Sequence, residues 1–294
     1  MTRETLTLEL DYRPPLAWPR LSKFLADRAI PGVEAVEADC YSRTVAIGNH
    51  RGWLSVKPAH RENVLRVEAS PSLAKVLAPM LARVRDLFDL DAQPQLIEAH
   101  LSHDARLKPI VERQTGLRLP GAFDGPEMAV RAVLGQQISV RAARTLAGRI
   151  TAAFGDPVVT PNPDLNRLSI KAERLARAKA ADLTGFGLTR KRAECLLALA
   201  GAVAEGDLKL EPGVDVESTI ERLKELPGIG DWTAQYIAMR ALRWPDAFPH
   251  TDLGVRKALN ENSANRILEM TESWRPWRAY AVMHLWNSLG GIGK

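Results

Sequence analysis

Two patterns in the C-terminal third of the chain combine residue types and spacing that do chemistry. The first is Leu226-Pro227-Gly228-Ile229-Gly230, followed by Trp232-Thr233-Ala234. Two glycines around one apolar residue permit a tight turn with positive φ, and Ile229 can point back between the helices it joins. Bare glycine backbone lets a ligand approach closely. The N–H groups that open the second helix then face outward, where they favour an anion such as a phosphate. The plain alternative is a helical hairpin with a glycine turn and no ligand. The second pattern is Thr251-Asp252 ahead of Leu253-Gly254-Val255. By spacing alone, Asp252 reads first as a helix N-cap. A fixed carboxylate can also stabilise positive charge that develops during a reaction, or orient and deprotonate water. Trp232 and Tyr236 are four residues apart and share one helix face, where an aromatic pair can hold a cation or simply pack in a core.

These residues need scaffolding, and the sequence indicates it. Ile220, Leu223 and Leu226 mark one amphipathic helix, capped by Asp215 or Ser218. Ala234, Ile237, Ala238 and Ala241 mark the helix after the turn. Upstream, Pro126 suits the first turn of a helix ending at Leu134. Gly135-Gln136-Gln137 interrupts, and a further helix runs to Phe154. A longer helix is expected from Thr189 to Ala204. The first hundred residues differ. Leu6, Leu8 and Leu10 alternate with polar residues as in a strand, a short helix follows Pro19, and Gly32–Gly48, Gly52–Lys57 and Asn63–Ala69 read as strands joined by turns. Pro71–Leu90 reads as helix. The expectation is an α+β domain over residues 1–91 and a mainly α-helical body over 92–294.

Composition narrows the function classes. The 294 residues carry a net charge of +5, a mild basic excess that favours acidic partners, nucleic acid first among them. Two cysteines exclude a disulfide framework and an all-cysteine iron–sulfur cluster. They point to a reducing, cytoplasmic compartment. The run Cys195–Ala204 is far short of the roughly 20 residues that span a bilayer. Arg3, Glu4 and Glu9 precede no apolar core, so no signal peptide is expected. There is no His/Cys set with zinc spacing, no Walker loop and no dinucleotide fingerprint, so neither metal nor cofactor is expected.

The hairpin, with Phe248-Pro249-His250-Thr251-Asp252 about twenty residues on, resembles the helix-hairpin-helix DNA glycosylase superfamily. More narrowly, the chain resembles the bacterial 3-methyladenine DNA glycosylase II (AlkA-type) family. Arg13-Pro14-Pro15 through Phe24-Leu25-Ala26, Val130 to Gln136 with Ser139-Val140, and Trp274 to Ala281 carry the likeness along the whole chain. The resemblance implies a TATA-binding-protein-like N-terminal sheet domain and a helical body in two subdomains, about 112–230 and 92–111 plus 231–294. The active site would lie in the cleft between the subdomains.

The resemblance also implies roles. Asp252 becomes the catalytic carboxylate of a base-flipping enzyme that hydrolyses the bond between an alkylated base and deoxyribose, initiating base-excision repair. Its partner would be double-stranded DNA containing alkylated bases, met by a monomer in the cytoplasm at the nucleoid. Trp232, Tyr236, Trp274, Phe24 and Leu253 would line the base pocket, while Trp277 and Tyr280 read as core. Leu226, Gly228, Ile229, Gly230 and Thr233 would grip the DNA backbone. Gln137 would fill the gap left by the flipped nucleotide, where the family often has leucine. A structural monovalent cation could bind the hairpin carbonyls near Leu226. Superfamily members that also cut the strand carry a lysine where Trp232 stands, so a monofunctional enzyme is expected. The rival from another class is a non-catalytic helix-hairpin-helix DNA-binding or damage-sensing protein, which has no need of Asp252.

Overall fold

The computed structural model describes residues 5–290. The N-terminal part is a five-stranded antiparallel sheet of order β1-β5-β4-β3-β2, from β1 (Leu6–Asp11), β2 (Glu34–Glu37), β3 (Cys40–Ile47), β4 (His50–Pro58) and β5 (Val64–Ala69). β1 lies against β5 with Leu6 opposite Ala69 and Asp11 opposite Val64. Residues 32–48, expected as one strand, are two. Ala38 and Asp39 both take positive φ, 43° and 64°, which is what a two-residue hairpin demands of its central pair.

Helices α1 (Trp18–Arg28) and α2 (Leu77–Phe88) supply Trp18, Leu21, Leu25, Met80, Val84 and Phe88 to the core that includes Tyr41, Leu54, Val56, Leu65 and Val67 of the strands. Phe88 is fully buried in it, 5.3 Å from the Trp18 ring and edge-on to Tyr41 at 5.5 Å. The expected helix over 71–90 opens instead with a 3₁₀ segment, Pro71–Val76.

The helical body follows with α3 (Pro94–Leu101), α4 (Lys108–Glu112), α5 (Gly125–Leu134), α6 (Val140–Phe154), α7 (Ala172–Ala176), α8 (Ala180–Thr184) and α9 (Arg190–Ala204). It closes with α10 (Val216–Glu225), α11 (Asp231–Arg240), α12 (Leu253–Leu259), α13 (Ala264–Met270) and α14 (Arg278–Ser288). Side chains cap several of them: Asp124 accepts from the Glu127 amide, Ser139 from Ala142, Thr189 from Arg192 and Asp215 from Ser218. Of the two caps foreseen for α10, Asp215 is the one used. α14 is buried from Arg278 through Trp286, so it is a central strut with no solvent face until Asn287.

A buried ionic network fixes the sheet on α5. Arg43 of β3 bonds Glu127 at 2.6 Å, and Glu34 of β2 bonds Arg131 at 2.7 Å. Breaking such a pair strands a buried charge at a cost of about 3–5 kcal/mol, which locks the orientation of α5. Asp89, in the left-handed conformation that ends α2, does the same for the other flank. Its carboxylate accepts from the Leu119 amide, Arg243 and the Tyr280 hydroxyl. Among the described residues no helix is long and apolar enough to cross a membrane.

Candidate active site

α10 and α11 are joined by the glycine turn. Ile229 is 4% exposed and wedged into the core, and its N–H donates to the Leu226 carbonyl at 3.1 Å. Pro227, Gly228 and Gly230 are exposed around it, and Leu226 is half-buried. Gly228 takes φ +84° and lies on Cys195 of α9, whose Cβ and Sγ would stand 3.1 and 3.3 Å from any added Cβ. Both its conformation and its neighbour therefore demand glycine. Burial pushes the Cys195 thiol up to about 11, so this sulfur acts as packing rather than as a nucleophile. Gly230 is different: its φ is −94° and an added Cβ would meet none of the described residues within 4 Å. The side chain of Thr233 is turned inward: the residue is 4% exposed, with its hydroxyl accepting from Gln136 Nε2 at 3.1 Å.

Asp252 is the N-cap of α12. Its Oδ1 accepts from the amides of Gly254 (2.8 Å) and Val255 (3.1 Å) and from Trp286 Nε1 (2.8 Å), and its Oδ2 accepts from Trp232 Nε1 (2.9 Å). The two readings of this residue thus hold together, since the cap is what aims it. All these donors are neutral, and among the described residues no cation forms an ion pair with it. A carboxylate held this way keeps its negative charge available to a developing cation.

The aromatic groups gather around that carboxylate. Trp232 and Tyr236 stack with centroids 5.3 Å apart and planes 8° from parallel. Tyr236 lies 6.2 Å from Trp286. Trp286 was not foreseen. It sits in a helix buried along most of its length, where it reads as core, and its long-range bond to Asp252 and its contact with Tyr236 distinguish it. Trp274 was expected in this wall and is elsewhere. It is 1% exposed, packs edge-on to Phe248 at 6.3 Å and donates its Nε1 to Asp104 at 2.9 Å. The 3₁₀ turn Glu272–Trp274 ahead of α14 aims the indole into the core.

Phe24 is half-buried with the Arg28 guanidinium 3.8 Å and that of Arg240 4.9 Å from its ring centre. Arg240 also donates to the Tyr236 hydroxyl at 2.9 Å, which brings Phe24 and Tyr236 together around shared arginines. Burial would push the Tyr236 phenol up, but Arg240, Arg28 and Arg131 outweigh it, and the phenol titrates below the usual tyrosine value. Leu253, next to Asp252, is 80% exposed. Gln137 is exposed at the tip of the loop between α5 and α6, with φ 54°. His250 lies 3.5 Å from the Asp231 carboxylate and against Phe248. Tyr280 is buried and Trp277 packs edge-on to it at 5.8 Å, as core residues do. A groove of about 650 Å³ between α1 and α6, lined among others by Pro31, Glu37 and Arg144, includes none of these site residues.

Residues 7–124 match the model of the AlkA N-terminal domain, and residues 130–274 that of the HhH-GPD superfamily base excision DNA repair proteins. The chain is 35% identical over 288 residues to DNA-3-methyladenine glycosylase 2 of Escherichia coli, covering 96% of this chain and 97% of that protein. Its fold superposes on 3-methyladenine DNA-glycosylase from Archaeoglobus fulgidus with a TM-score of 0.82 at 23% identity, over 96% of this chain and 98% of the other. An 8-oxoguanine glycosylase/lyase of Clostridium acetobutylicum, solved in complex with double-stranded DNA, superposes with a TM-score of 0.73 at 18% identity over 91% of each chain.

Proposed function

Since the chain belongs to the AlkA-type DNA-3-methyladenine glycosylases of the HhH-GPD superfamily, we propose that it hydrolyses the glycosidic bond of N-alkylated purines in duplex DNA, with Asp252 as the catalytic carboxylate. It is a glycosylase of base excision repair. The observation that carries the role of Asp252 is its geometry. The carboxylate is held by neutral donors only, on a helix N-terminus, between the indoles of Trp232 and Trp286.

In this reading the damaged nucleotide leaves the stack, and its base is held against Trp232, Tyr236 and Trp286, with Phe24 and Leu253 at the margins. An N-alkylated purine is cationic, and its attraction to aromatic faces contributes roughly 0.5–2 kcal/mol. The bond from C1′ to the base nitrogen breaks with its electron pair leaving on the base, which departs neutral. The sugar acquires oxocarbenium character, stabilised by the Asp252 carboxylate. Water then adds its oxygen to C1′, and Asp252 or solvent takes the proton. Trp232 occupies the position where a lyase would carry a lysine, so the product is an intact abasic strand.

The exposed turn at Pro227–Gly230 and the first amides of α11 would hold a phosphate of the duplex. The Leu226 and Gly228 carbonyls are neutral oxygen donors, each with a lone pair beyond the hydrogen bond it accepts, and this donor set fits a monovalent cation. Such a cation would screen the phosphate charge. Gln137 would fill the gap left by the base. The hairpin, carboxylate and aromatic wall all come from one chain, so a monomer suffices. Two hydrophobic cores, one formed chiefly by residues up to Leu90 and one chiefly by the later helices, support a domain boundary near residue 91. The packing of α14 on α4 and α12 supports the joining of residues 92–111 to 231–294.

The test is base release from methylated duplex DNA. Asp252→Asn keeps the helix cap but removes the charge, and one preorganised electrostatic group is worth about 3 kcal/mol or more. Single-turnover excision should fall a hundredfold or more while duplex affinity holds. A rate within threefold of wild type would overturn the catalytic role of Asp252.

A further inference from the structure

The loop between α5 and α6 is tied to the hairpin by the residue that precedes its tip. Gln136 Nε2 donates to the Gly228 carbonyl at 3.0 Å and to Thr233 Oγ1 at 3.1 Å. The Gln136 carbonyl in turn accepts from Arg192 Nη2 at 2.5 Å. These partners belong to the hairpin turn, α11 and α9. α9 also backs the turn directly, through Cys195 beneath Gly228. Gln136 is therefore held by side chain and main chain to the same rigid unit, half-buried, while Gln137 beside it is exposed. The positive φ of Gln137 turns the chain sharply there, and Ser139 caps α6 two residues later. The loop is thus fixed on both sides of its tip.

We propose that Gln136 and Arg192 form a latch that joins the hairpin to the loop tip, so that seating the hairpin on a phosphate delivers the Gln137 side chain into the duplex at a fixed offset. This rests on the reading of Gln137 as the residue that fills the gap. Both latch residues are positioning residues that act through the loop. The backbone grip needs only the turn and the start of α11, so a broken latch leaves binding to undamaged DNA intact. What it costs is the energy released on insertion, because the tip must then be ordered at that moment.

The experiment uses the full chain and two duplexes. One is undamaged. The other carries a non-cleavable abasic-site analogue beside 2-aminopurine, whose fluorescence rises when a side chain inserts and unstacks it. Gln137→Ala should lower the abasic-over-undamaged affinity ratio and the fluorescence rise by roughly tenfold, the scale of one interaction lost. Gln136→Met should match it, with undamaged affinity within about twofold of wild type. The double variant should be no worse than either single one, since residues in one unit are non-additive. Arg192→Lys keeps the charge but loses the guanidinium reach, and should move the same two readouts in the same direction. Should Gln136→Met unfold, Gln136→Ala removes the same hydrogen bonds without placing a charge beside the phosphate grip and serves instead. If Gln137→Ala is defective while the Gln136 and Arg192 variants behave as wild type, or if losses add in the double variant, the latch is overturned and the gap-filling reading stands. If Gln137→Ala behaves as wild type, the gap-filling reading fails and the latch fails with it.

Discussion

The indole Nε1 of Trp286 stands 2.8 Å from Oδ1 of Asp252, joining the central buried helix to the N-cap of α12 across 34 residues of sequence. With Trp232 on the other oxygen, the carboxylate is gripped from two helices and has one permitted orientation. Trp286→Phe keeps an aromatic face and removes only the donor. A hydrogen bond to a charged group contributes about 1.5–3 kcal/mol, and part of that is the fixed aim of the carboxylate. Single-turnover excision of 3-methyladenine should fall about tenfold, with affinity for undamaged duplex unchanged. An unchanged rate would show that the two amides and Trp232 aim Asp252 without help.

Trp274 calls for the opposite expectation. It is 1% exposed, and its N–H satisfies Asp104. Trp274→Phe leaves a void and an Asp104 oxygen short of its donor, so it should destabilise the fold by about 2–4 kcal/mol. Excision measured well below the melting transition should stay within about threefold of wild type. A stable variant that excises poorly would return Trp274 to the base pocket.

What the sequence made legible was local. Alternating leucines marked β1, the spacing of Ile220, Leu223 and Leu226 marked α10, and the glycine turn announced Ile229 as its buried wedge. Each of these depends on residues within one turn or one strand. Trp232, Tyr236 and Asp252 were found the same way, through helix-face spacing and a helix start, with the resemblance supplying their roles. Trp286 was missed because α14 is buried from Arg278 through Trp286, so a functional indole there reads like any other core residue. Trp274 was misplaced because its partner, Asp104, lies 170 residues away. The inward aim of the Thr233 side chain was not legible because a hydroxyl in the first turn of a helix carries no sign of which way it faces. The split of residues 32–48 was hidden because neither Ala38 nor Asp39 is the glycine or asparagine that usually flags a left-handed pair.

Gly230 offers a test in which stability and binding separate. Among the described residues nothing crowds it, and its φ is one that any residue adopts. Glycine and threonine rank alike as N-caps, so Gly230→Thr should leave the melting temperature within a few degrees. Any requirement for glycine there must come from a phosphate that approaches the backbone. Affinity should therefore drop for damaged and undamaged duplex alike, by about tenfold, because phosphate contacts carry no sequence information. A loss confined to damaged DNA would mean that the turn reads the lesion.

His284 sets a pH dependence of stability. It is 1% exposed on α14, and burial, with Arg20 adding to it, pulls its imidazole down from 6.5 to about 4. A group with a depressed folded pKa contributes stability above its unfolded pKa and loses it as pH falls through the folded one. Between pH 6.5 and 4 the unfolded chain takes up a proton that the folded chain refuses, and the full difference amounts to about 3 kcal/mol. Glu127, held at about 2 by Arg43 and Arg131 in spite of its burial, weakens the fold only below pH 4.5 and leaves the upper part of that window to the histidine. The buried carboxyls of Asp89 and Asp124 are raised, chiefly by burial, and oppose the slope near its acid end. Comparison with His284→Gln cancels their effect. Denaturant unfolding at pH 7 and pH 5 should show the wild type losing more stability than the variant over that interval, by about 1–2 kcal/mol. Equal losses in the two proteins would mean that His284 is protonated in the folded state at pH 5, and that burial does not exclude its charge.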